Sequence, residues 1–88
     1  MDTAELRGAL KRLIVETLSL EDVTPEEIED EAPLFGEGLG LDSLDALELA
    51  VACEHAFGVT LDVEQDEVHQ ALRSVAALAD YLAARRAA

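Results

Sequence analysis

A chain of 88 residues with 50% apolar and 3% aromatic content has room for one domain with a small, aliphatic core. Its formal net charge of -14 makes nucleic acid and anionic membrane surfaces poor partners. No Lys or Arg stands between Arg12 and Arg73, so the acidic middle should attract basic patches on other proteins. A plainer role for the acids is solubility, which does not explain so long a stretch without a base. One cysteine, Cys53, leaves no partner for an intramolecular disulfide. Met1 to Glu5 lacks a basic start followed by a long apolar run, and no stretch is apolar enough to cross a bilayer. A cytoplasmic location without membrane insertion is therefore expected.

The abundance of Ala and Leu favours helices. Leu6, Leu10, Leu13, Ile14 and Leu18 recur at helical spacing and predict a first helix over residues 3–18, with Asp2 as its cap and Glu5 as capping-box partner. Residues 19–41 then form a long connection rich in Pro and Gly. Its spaced apolar residues, among them Val23, Ile28, Leu34 and Phe35, suggest that it is pinned against a bundle. Pro25 suits the first turn of a short helix capped by Thr24, and Pro33-Leu34-Phe35-Gly36 reads as a turn. A second helix starts at or just after Asp42-Ser43 and ends at Phe57 before Gly58. Val59-Thr60-Leu61 is extended. Asp62 can cap a short third segment carrying Val63, Val68, Ala71 and Leu72. Ser74 caps a fourth helix with Val75, Leu78, Ala79 and Leu82 on one side and Arg85 and Arg86 in its last turn. The expected fold is a single all-α domain over residues 1–88, a four-helix bundle with a long first loop and a short third helix.

The second helix carries two apolar stripes. At about 100° per residue, Ala46, Leu49, Ala50, Cys53 and Phe57 fall together, while Leu44, Leu47 and Val51 fall on another side. Asp45, Glu48, Glu54 and His55 lie between or beside them. The second stripe is either core beneath the long loop or an exposed docking strip edged by carboxylates. Its start beside Ser43 favours docking.

Ser43 follows the Gly-rich run Gly36-Glu37-Gly38-Leu39-Gly40. As a nucleophile it would need a base and oxyanion donors. His55 lies about three turns along the same helix and cannot reach it; His69 approaches only if the tertiary fold happens to bring it there. The flanking residues are not Gly-x-Ser-x-Gly. Neither a Cys/His cluster nor a His-Glu-x-x-His is present, and the acids near Asp62 lack EF-hand spacing. Either Asp42 or Ser43 can cap the helix. The same helix start also favours a phosphate, so a serine there suits a phosphodiester installed by another enzyme.

The stretch Leu39-Gly40-Leu41-Asp42-Ser43-Leu44-Asp45-Ala46-Leu47-Glu48-Leu49, extended by Glu54, Phe57 and Gly58, closely resembles the attachment motif of acyl carrier proteins. Length, acidity and helix pattern agree along nearly the whole chain. The resemblance implies a non-catalytic carrier. Ser43 would receive 4′-phosphopantetheine from coenzyme A through a phosphopantetheinyl transferase, with Asp42 and Leu44 flanking the attachment point. The arm's thiol would carry acyl groups as thioesters to ketosynthases, acyltransferases and other acyl-processing enzymes. Leu44, Leu47 and Val51 match the family's apolar partner-facing positions, and Asp45, Glu48 and Glu54 its acidic ones. Leu49, Ala52, Cys53 and Phe57 match inward positions bounding the acyl cavity. A monomer is expected.

Two departures stand out. His55 replaces a common acid, and residues 61–75 exceed the usual length, so the third helix would be longer or differently set. Residues 34–43 resemble those of stand-alone carriers in specialised fatty-acid-like or polyketide pathways, including aryl polyene synthesis. Other cargoes, such as aminoacyl or D-alanyl groups, would use Ser43 identically. An acidic adaptor without any prosthetic group is the alternative from a different class.

Overall fold

The computed structural model describes residues 2–35 and 42–86. Four α-helices make up its architecture: α1 (Thr3–Thr17), α2 (Ser43–Phe57), α3 (Asp66–Ala71) and α4 (Val75–Arg86), with a 3₁₀ turn at Pro25–Glu27. The all-helical bundle with a short third helix is thus the one expected. The glycine-rich run before Ser43 falls outside the described residues.

Asp2 caps α1 by accepting the Glu5 N–H at 2.8 Å. Among the described residues Glu5 gives no return bond, so this is a simple cap rather than the expected box. Leu6, Leu10 and Ile14 form its buried stripe. The helix closes with Leu18 donating to the Ile14 carbonyl, after which Ser19 takes a left-handed φ of 52° and Leu20 donates to Val15. Helix α1 packs on α2, α4 and the 3₁₀ turn, and α3 packs on α4.

The first loop is pinned where it is described. Glu27 accepts from both the backbone N–H and the hydroxyl of Thr24 at the 3₁₀ turn. Ile28 and Leu34 are buried in the common core. Asp30 joins three elements: its carboxylate pairs with Arg7 and Lys11 of α1, and its carbonyl accepts from Ala76 of α4. Leu34 donates its N–H to the Arg73 carbonyl at 3.0 Å. The two cations hold the Asp30 carboxyl below its ordinary value, with the Lys11 hydrogen bond as the main cause.

After Gly58, which ends α2 at φ 71°, Val59 and Leu61 are buried. Asp62 does not cap α3. Its carboxylate accepts the N–H of Glu64 and its carbonyl that of Gln65, closing a turn. The helix starts four residues later, with Gln65 in the cap position and no side-chain cap bond. The long 61–75 segment therefore holds a turn and a six-residue helix rather than a lengthened one. Ser74 is placed as expected: its hydroxyl accepts from Ala77 and its carbonyl from Leu78. Val75, Leu78, Ala79 and Leu82 of α4 are all buried. Among the described residues no helix is long and apolar enough to cross a membrane.

Candidate functional site

Asp42, not Ser43, is the N-cap of α2. Its carboxylate accepts from the Asp45 N–H, and the Asp45 carboxylate accepts from the Asp42 N–H, both at 3.0 Å. This reciprocal box uses both acids to terminate the backbone. It leaves Ser43 as the first helical residue, with an exposed side chain and no capping duty.

Along α2 the two stripes separate in space. Leu49, Ala50 and Cys53 are buried in the core, and Ala46 and Phe57 are half-buried against it. Leu44, Leu47 and Val51 stay 63%, 48% and 48% exposed, the large apolar side chains most open to solvent among those described. Glu48 and Glu54 are exposed, whereas Asp45 is half-buried by its cap role. The second stripe is therefore a surface strip, not core under the loop.

A cavity of about 430 Å³ opens at Ser43, lined by Phe35, Asp42, Ser43, Ala46, Val63, His69 and Leu72. Its walls thus come from α2, α3 and the connections before, between and after them. The residues matched to inward positions do not line this opening. Leu49 and Cys53 are sealed in the core. Ala52 lines a groove with Thr17, Leu47, Glu48 and Val51 on the outer side. Phe57 packs against the core with Arg86 over its ring, 5.8 Å from the centroid. That Phe35, Val63 and Leu72 line this site is not legible in the sequence, and His69 is only a chance of the tertiary fold there, because helix periodicity within one element does not say what another element brings near it.

Two candidate chemistries meet these surroundings. Burial pushes the Cys53 thiol up to about 12, so it is a packing residue and not a working nucleophile. His69 shares the cavity wall with Ser43 but makes no hydrogen bond to it. The described residues contain no group of His, Cys, Asp and Glu side chains suited to a metal ion.

An acidic helical bundle that presents an exposed serine at a helix start, beside a cavity and an apolar strip, has the features of an attachment-site domain. The phosphopantetheine attachment site family matches residues 8–82. The chain is 35% identical to an acyl carrier protein of Thermosynechococcus vestitus over 82 residues, 93% of each chain. It is 38% identical to one of Syntrophobacter fumaroxidans over 88 residues, the whole of both. A third, from Wolinella succinogenes, is 41% identical over 58 residues, 66% of this chain and 71% of that one. The chain belongs to the acyl carrier protein family, which carries acyl groups on covalently attached 4′-phosphopantetheine and is itself non-catalytic. The residues present fit that group: a first-turn serine open to solvent and a partly apolar cavity alongside.

Proposed function

We propose that Ser43 is the attachment point of the prosthetic group, flanked by Asp42 and Leu44, within a single carrier domain. The observation that carries this reading is the division of labour at the start of α2. Asp42 and Asp45 complete the cap, so the Ser43 hydroxyl is exposed and uncommitted among the described residues. No described residue hydrogen-bonds the Ser43 hydroxyl, and Ser43 is an acceptor for a phosphopantetheinyl transferase. Its oxygen bonds to the phosphorus that bears the pantetheine, the pyrophosphate link of coenzyme A breaks, and the nucleotide leaves. The serine proton passes to a base on the transferase. The thiol so acquired forms thioesters.

Leu44, Leu47 and Val51 supply the apolar contact for visiting enzymes, with Asp45, Glu48 and Glu54 steering their basic patches. The transferase, ketosynthases and acyltransferases are the expected visitors, in the cytoplasm. The resemblance of residues 34–43 supports a specialised fatty-acid-like or polyketide pathway. Incubation of the unmodified protein with coenzyme A and a broad-specificity transferase tests the assignment. Peptide mapping should place one pantetheinyl group on the peptide containing Ser43, and Ser43→Ala should abolish it. A group retained in that variant refutes the assignment.

A further inference from the structure

We propose that His69 is a positioning residue for the prosthetic arm: its imidazole, when protonated, pairs with the phosphodiester on Ser43 and holds the near end of the arm at the cavity mouth. The inference rests on the assignment of Ser43 as the attachment point. His69 and Ser43 come from different helices, α3 and α2, yet line the same cavity. Val68 and Leu72 anchor α3 in the core on either side of His69, whose exposed imidazole lines the cavity.

The chemistry of the wall is one-sided. Phe35, Ala46, Val63 and Leu72 are apolar, and the Asp42 carboxylate is an anion already accepting from Asp45. Among the described lining residues, only His69 can offer positive charge to a phosphodiester held next to two carboxylates. The imidazole has no hydrogen-bond partner among the described residues. Nearby charges are otherwise occupied or of the wrong sign. On α3 itself, Asp66 precedes His69 by three positions, and Glu67 pairs with Arg85 of α4 at 2.9 Å. Arg73, beyond the helix end, binds the Gln70 side chain at 3.2 Å. In the turn before α3, the Asp62 carboxylate accepts from Glu64. An imidazole is the side chain whose charge changes near neutral pH, whereas a phosphodiester stays a monoanion there. A change in the phosphorus environment in that range that His69→Gln removes therefore reports this imidazole.

The test is a ³¹P NMR pH series on the pantetheinylated full chain at low salt, between about pH 5 and 8. The wild-type resonance should move through a single inflection. His69→Gln should flatten the profile, and His55→Gln, at the far end of α2, should leave it as in wild type. A wild-type comparison needs no variant: at pH 6 the His69 ring protons should shift between the unmodified and modified protein while those of His55 stay in place. Identical ³¹P profiles in wild type and His69→Gln, or unmoved His69 ring signals, overturn the inference with Ser43 modified as proposed. A phosphorus signal on any residue other than Ser43 overturns the attachment assignment itself, and this inference with it.

Discussion

Serine is itself a good cap, so a helix start proposed to present a free serine hydroxyl faces a conflict. Here the conflict is resolved by the neighbours: Asp42 and Asp45 satisfy one another's N–H groups, and the Ser43 oxygen is spared. Cys53 shows the opposite arrangement, a reactive atom removed from use. With its thiol at about 12, the thiolate fraction at pH 8 is about one part in ten thousand. In the native unmodified protein, Cys53 should react with a thiol reagent at pH 8 at least about 100-fold more slowly than in urea. Equal rates would contradict its burial. The unfolded thiol ionises near 9.0 and the folded one near 12, so this residue withdraws stability as pH rises across that window and has no effect below it.

At the scale of elements, the first loop acts as a fifth wall of the bundle. Ile28 and Leu34 are as buried as helix residues, and Asp30 ties α1 to the start of α4. Leu34→Ala should therefore cost about 2–5 kcal/mol in urea unfolding, the range for a core leucine and comparable to Leu49→Ala. A loss under about 0.5 kcal/mol, as at ordinary surface sites, would mean that the loop is merely draped. Most of the helices were legible from residues alone. The 3.6-residue repeats of α1 and α4 and the paired Asp42 and Gly58 signals of α2 are local, and local signals survive folding. The split of α2 into Leu49–Cys53 and Leu44–Leu47–Val51 faces was equally local. Where a side chain had two possible partners, the sequence could not choose. Asp62 binds two residues ahead rather than opening α3, and Asp42 rather than Ser43 takes the cap. The cavity wall was hidden for a different reason: Phe35, Val63, His69 and Leu72 are brought to Ser43 by packing between elements, which no single-helix pattern encodes.

Taken whole, the molecule segregates its charge. Arg7 and Lys11 are committed to Asp30 and Arg85 to Glu67, while the exposed strip of α2 carries Glu48 and Glu54. Encounter with a basic enzyme surface should thus be steered and salt-dependent. Glu48→Lys should slow modification roughly tenfold at low salt, with the deficit shrinking as salt rises. Its circular dichroism and urea midpoint should match wild type, since Glu48 is exposed. Unfolding of this variant, or an unchanged rate, would mean that α2 does not present its acids to partners.

The central claim is that acyl groups travel on Ser43. Fragmentation mass spectrometry of the intact protein, taken from the cells that make it, tests this most directly. The expected result is a pantetheinyl group confined to fragments containing Ser43, with an acyl increment on part of the population that hydroxylamine removes. A Ser43 left unmodified throughout, in cells where the protein is active, would contradict it.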